Sequence, residues 1–259
     1  MPPISAAPGP ISGLAGDLAA ALDPVVFASR VGIDPDDWQA DVLRSTSPRM
    51  LLNCSRQSGK TTITALLGLH TALYEPGSLV VILSPSLRQS SEFFRVLAGL
   101  YAASGATVPA TAETFLRLEL TNGSRVLSLP ATEKTIRGIS AVRLLLIDEA
   151  SRVHDDLYAS VRPMLAVSNG RLVALSTPFG KRGWWSDAWH GRHLWKRVEV
   201  PADQCPRISR EFLAEERDQL GEWWFNQEYL CQFMDAETQA FSSDEVARAF
   251  AREVTTWEL

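Results

Sequence analysis

The chain has 259 residues, 46% hydrophobic and 21% charged, with a formal net charge of −5. That is enough apolar material for one large α/β domain or a domain plus a small appendage; the acidic balance excludes coating of nucleic acid by bulk electrostatics but not contact through one local basic surface. No apolar run approaches the roughly 18–20 residues of a membrane span, the N-terminus lacks the basic start of a secretory signal, and three separated cysteines (Cys54, Cys205, Cys231) with four histidines form neither a disulfide framework nor a metal-ligand pattern.

Residues 1–24, rich in Pro, Gly and Ala, read as an N-terminal arm with one helical stretch from Leu14 to Leu22. Asp34-Pro35-Asp36-Asp37 is helix-start chemistry ahead of Trp38-Gln39. The Gln39 amide has the donor and acceptor that match the N6/N7 edge of adenine, with a solvent-facing helix position as the alternative. Met50 to Asn53 predicts a first strand and Lys60 to about Leu73 a helix, broken by Glu75-Pro76-Gly77. Leu79 to Ser84 is a second buried strand, followed by a helix to about Tyr101. Phe115 to Leu120 and Arg125 to Leu129, joined through Asn122-Gly123, predict a hairpin. A polar loop over 132–140 holds Lys134, Arg137 and Gly138. Then come the strand ending in Asp148-Glu149, a helix from about Asp155 to Ala166, and a strand from Arg171 to Leu175 ending in Ser176-Thr177-Pro178.

Beyond Pro178 the pattern loosens. Residues 181–197 hold Lys181, Arg182, Arg192, Lys196 and Arg197 against a single acid, Asp187, with Trp184, Trp185, Trp189 and Trp195 interleaved. Such a stretch suits nucleic acid, yet Trp185 and Trp189 lie four apart, so inward packing is the preferred reading. Trp195 to Val200 is one more strand candidate. Ser209 to Leu220 and Glu222 to Phe233 read as two helices interrupted by Gly221, forming a small helical unit over 181–259 beside a core over 25–180. Apolar strands alternating with helices predict a mainly parallel sheet flanked by helices, with ligands beyond the carboxyl ends of its strands.

Two motifs share that edge. Ser55-Arg56-Gln57-Ser58-Gly59-Lys60-Thr61-Thr62 sits at a strand-to-helix junction and fits a phosphate-binding loop, with Cys54 where a first glycine belongs. Backbone N–H groups there would cradle phosphate oxygens, Lys60 would meet the γ-phosphate, and the Thr61 hydroxyl would hold Mg²⁺. Two acids ending a buried strand need a cleft or a cation. Asp148 is the Mg²⁺ candidate and Glu149 the residue to orient or deprotonate the attacking water. The pair predicts a nucleoside-triphosphate hydrolase.

Trp38-Gln39, the segment from Cys54 to Thr62, Leu146-Ile147-Asp148-Glu149-Ala150, Ser176-Thr177-Pro178 and the segment from Glu222 to Phe233 together resemble the ATPase domain of the large terminase subunit, the DNA-packaging motor of tailed bacteriophages. The resemblance covers roughly residues 30–245. It implies an ASCE/RecA-like P-loop fold with a helical lid, ATP and Mg²⁺ as cofactors, Gln39 on adenine, and Ser176, Thr177 and Pro178 coupling hydrolysis to motion. It also implies double-stranded DNA, a portal protein and a small terminase subunit as partners, a homo-oligomeric ring, and a virus- or prophage-encoded protein of the host cytoplasm. An arginine finger from a neighbouring subunit is expected; Arg137 is the candidate, with Arg56 a rival acting in cis. The family's C-terminal nuclease domain lies outside these residues, so the expectation is a truncated ATPase portion without nuclease activity. A superfamily-2-like helicase and a non-motor nucleotide-dependent switch are the alternatives.

Overall fold

The computed structural model describes residues 13–235 together with Glu245, Arg248 and Ala249. Residues 1–12 of the expected arm, and most of 236–259, lie outside the described residues. In chain order the elements are α1 (Leu14–Leu22), α2 (Pro24–Arg30), α3 (Asp37–Arg44), β1 (Arg49–Cys54), α4 (Lys60–Tyr74), β2 (Leu79–Ser84), α5 (Leu87–Ala103), β3 (Ala110–Thr114), β4 (Arg117–Leu120), β5 (Arg125–Pro130), α6 (Glu133–Ile136), β6 (Leu144–Asp148), α7 (Asp155–Val161), β7 (Arg171–Ser176), α8 (Gly183–His190), β8 (Lys196–Val200) and α9 (Arg210–Glu228).

The eight strands form one sheet in the order β3-β4-β5-β2-β6-β7-β1-β8. Among the described residues pairing is parallel from β5 through β8, and the β3–β4 and β4–β5 pairs at one edge are antiparallel, β4 being the reversed strand. Successive residues of the central strands point to opposite faces, which is why their apolar runs are continuous. Met50, Leu52, Ile82, Leu146 and Val173 enter a core built with α2 to α5. Leu51, Val81, Leu145, Ile147 and Leu172 enter a second core built with α6, α7 and α8. The result is a three-layer sandwich with a buried sheet, the expected fold class.

Where the structure departs from the elements expected of the sequence, the causes are local. β3 reads Ala-Thr-Ala-Glu-Thr and is mostly exposed, so it has no apolar periodicity to betray it. The helix expected to Ala166 stops at Val161 and tightens into a 3₁₀ turn over Arg162–Leu165, because Pro163 supplies no N–H. Gly221, at φ 75° and ψ 162°, interrupts α9 where the sequence places the break, so Arg210–Glu228 is two helical stretches meeting at a kink, and the second ends at Glu228 rather than Phe233. Trp184 and Trp185 are buried in α8, and Trp189 packs on Phe233, so these tryptophans belong to the interior. A third, small cluster of Ala202, Leu213, Phe225 and Tyr229 holds α9 together.

Candidate nucleotide site

The phosphate loop follows β1. Cys54 is the last residue of that strand and fully buried, so its side chain is a core group and the position needs no glycine. The turn is made further on, where Gln57 (φ 61°) and Gly59 (φ 89°) take left-handed backbone. Gly59 is also the N-cap of α4, whose first turn holds Lys60, Thr61 and Thr62. Ser58 Oγ donates to Ser55 O at 3.0 Å and closes the loop on itself.

β7 lies between β1 and β6, so the acidic strand faces the loop across one intervening strand whose last residue is Ser176. Lys60, almost wholly buried, places Nζ 4.0 Å from Glu149 Oε1. Asp148 is also buried, and its Oδ1 has no hydrogen-bond partner among the described residues. Burial, then the neighbouring Glu149 charge, push its carboxyl up to about 7, with Lys60 opposing. A buried carboxylate with an orphaned oxygen is the environment that a cation relieves. Glu149 itself stands at φ 47° and ψ 46°, a left-handed conformation that a non-glycine residue holds at a cost of about 1–2 kcal/mol.

Ser176 ties this turn to β7. Its Oγ lies 2.7 Å from Ser151 Oγ and accepts from Ser151 N at 3.2 Å, two residues beyond Glu149. Thr177 and Pro178 are buried behind it. The next residue, Phe179, carries two guanidinium groups, Arg152 at 4.3 Å and Arg182 at 5.5 Å from the ring centre. Lys181 pairs with Asp235.

Gln39 is buried, accepting from Asp36 N at 3.0 Å and donating to Ser58 O at 3.3 Å. It thereby caps α3 and anchors it to the loop; the water-facing alternative is excluded. Arg56 points to α9, where Nε donates to Glu228 Oε2 at 2.6 Å. Gln227, one residue earlier, accepts from Gly180 N at 3.1 Å. Arg137 has a different neighbourhood. It is exposed, pairs with Glu133 at 3.5 Å, and borders a cavity of about 420 Å³ with Ile136, Ser160 and Met164.

Four contributors to the site carry no motif of their own: Glu228, Gln227, Ser151 and Arg207. Arg207 precedes α9 and donates from Nη2 to Ser58 O at 2.8 Å. Glu228 and Gln227 lie inside the segment that resembles a lid, which is the signal that could single them out. Arg207 has no such signal.

A family model described as the terminase large subunit, T4likevirus-type, N-terminal, matches residues 51–248. The chain belongs to the terminase large-subunit family. A curated relative, the probable terminase large subunit of Enterobacteria phage P7, is 24% identical over 208 residues, 71% of this chain and 42% of that protein. The chain thus spans less than half the length of that terminase. Among solved structures, the Thermus phage P74-26 large terminase ATPase domain superposes with a TM-score of 0.71 at 22% identity, covering 80% of this chain and 97% of that one. Another large terminase, from a thermophilic bacteriophage and in complex with ADP, gives 0.64 at 12% identity over 77% of this chain and 54% of that one. At these identities the structures establish a shared fold.

Proposed function

We propose that this chain is an ATP-hydrolysing motor unit of a phage terminase, which drives double-stranded DNA into a viral procapsid. The observation that carries the reading is the meeting of Lys60, Asp148 and Glu149 at the mouth of one phosphate loop, with the orphaned Asp148 oxygen among them. The family membership and the ADP bound by the thermophilic bacteriophage's terminase support a nucleotide as ligand.

In this reading Ser55 to Thr62 wrap the phosphates, and Gln39 turns its amide to the adenine. The Asp148 carboxylate and Thr61 hydroxyl suit Mg²⁺, a hard cation with oxygen ligands. When bound, Mg²⁺ neutralises charge on the transferred phosphoryl group. Glu149, held in its left-handed turn, orients water and takes its proton. Lys60, paired with Glu149, meets the γ-phosphate. Ser176 passes the change onward, because its bond to Ser151 couples the Glu149 turn to Thr177 and Pro178. The unit around α9 acts as lid, touching the phosphate loop through Arg56–Glu228 and the loop after Pro178 through Gly180–Gln227. The partners implied are DNA, a portal protein, a small terminase subunit and further copies of this chain in a ring, all in the host cytoplasm. In that ring Arg137 is the candidate finger and Arg56 the rival.

The test is phosphate release by the purified chain with Mg²⁺ and ATP, with and without double-stranded DNA. Turnover that needs Mg²⁺ and rises with DNA supports the motor. Hydrolysis indifferent to DNA favours the non-motor switch, and no hydrolysis in any state removes the enzyme reading.

A further inference from the structure

Arg207 lies on the connector between β8 and α9, outside every motif, yet it reaches the phosphate loop. Nη2 donates to Ser58 O at 2.8 Å and Nη1 to Asp36 Oδ1 at 3.0 Å. The same Ser58 carbonyl accepts from Gln39 Nε2. A Cβ placed on Gly59 would stand 2.9 Å from Gln39 Nε2 and 3.4 Å from Arg207 Nη2. Two planar polar groups therefore lie side by side against the N-cap of α4, where glycine is favoured for its φ and any side chain would displace them. The Arg207 side chain keeps 46% of its surface exposed, so the guanidinium is not a buried strut.

Gln39, the residue expected on adenine, and Arg207 share the Ser58 carbonyl, so a base that reaches the Gln39 amide also comes within reach of the Arg207 guanidinium. Two of the five guanidinium donors are directed at Ser58 and Asp36; the planar cation also has a face suited to stacking on a heteroaromatic ring. Asp36 holds it in place, and Asp36 is the residue whose N–H is bonded to Gln39.

Resting on the nucleotide-binding reading above, we propose that Arg207 is a nucleotide-contacting residue, the outer wall of the pocket against the base and ribose of a bound purine nucleotide. It is the contribution of the α9 unit to affinity, since residues 202–209 lead directly into α9 and carry Ala202 of its core.

The experiment is equilibrium binding of a fluorescent ATP analogue and of ADP to wild type, Arg207→Ala, Arg207→Lys and Asp36→Asn, with the melting temperature of each protein measured without ligand. Arg207→Ala should weaken binding by about tenfold or more, the size of one charged hydrogen bond or stack. Arg207→Lys should recover only part of this, and Asp36→Asn should cost far less. Competition by inorganic tripolyphosphate, which has no base or ribose, should be the same for Arg207→Ala and wild type. Equal losses in Asp36→Asn and Arg207→Ala would reduce Arg207 to a pin between α3 and the loop. Unchanged affinity in Arg207→Ala would also overturn the proposal, as would an equal loss for tripolyphosphate. A wild-type chain that binds no nucleotide would instead overturn the reading of the whole site.

Discussion

Lys60 Nζ stands 4.0 Å from Glu149 Oε1, so the lysine of the phosphate loop and the acid of the neighbouring turn form an ion pair. The arrangement gives the two residues separable roles. Lys60→Ala removes the charge that meets the phosphates and also leaves Glu149 and Asp148 facing each other without a counter-charge. ATP affinity should fall by an order of magnitude or more and turnover should vanish with it, as titration of a fluorescent ATP analogue alongside phosphate release would report.

Arg56 and Glu228 are a pair of unequal exposure, 59% and 9% for the two side chains. Arg56→Ala strands a nearly buried carboxylate. With the exposed partner discounted for screening, the loss should be about 1–2 kcal/mol, below the ~3–5 kcal/mol of a fully buried pair. Thermal denaturation should show it, and Glu228→Gln should cost less and relieve most of the Arg56→Ala defect in the double variant. Additive losses would mean that the two side chains do not act as a pair.

Burial raises the Cys54 thiol to about 12. Almost no thiolate exists at mildly alkaline pH, so Cys54 should resist alkylation in the native protein and react only after denaturant is added. Cys54→Gly restores the missing glycine of the motif but removes a core side chain, so ATP affinity should hold while stability drops by about 1–3 kcal/mol. Tighter ATP binding by Cys54→Gly would show instead that the cysteine impairs the loop.

Arg137 is exposed, and its ion pair is with Glu133 rather than with the phosphate loop. A finger reaching across a ring would leave Arg137→Ala able to bind ATP and poor at hydrolysis once assembled, an effect on the order of 10³–10⁵ in rate. Mixing Arg137→Ala with Glu149→Gln subunits should restore part of the activity. A dead mixture would assign the arginine to cis action and favour Arg56.

The parts of the fold that are legible in the sequence are those whose burial leaves a one-dimensional trace. β1, β2, β6 and β7 are apolar on both faces, and each is readable within a residue or two. The loop from Ser55 to Thr62 and the Asp148-Glu149 pair stand out in the sequence as residue types at a set spacing, and the fold brings Lys60 and Glu149 together. The rest depends on contacts between distant residues. Arg207 meets Ser58 across 149 positions and Arg56 meets Glu228 across 172, and no local periodicity encodes either. β3 escapes notice because an exposed edge strand buries nothing. Gln39 is legible as an amide of interest, but not as the cap that fastens α3 to the loop.

In the proposed reading Glu149 acts on water and is not needed to hold the nucleotide. Single-turnover cleavage of pre-bound radiolabelled ATP tests this most directly, because product release and assembly drop out of the measurement. Glu149→Gln should bind ATP within a few-fold of wild type and cleave it at least about 100-fold more slowly, the general-base contribution. Cleavage by Glu149→Gln at a rate near that of wild type would contradict the account.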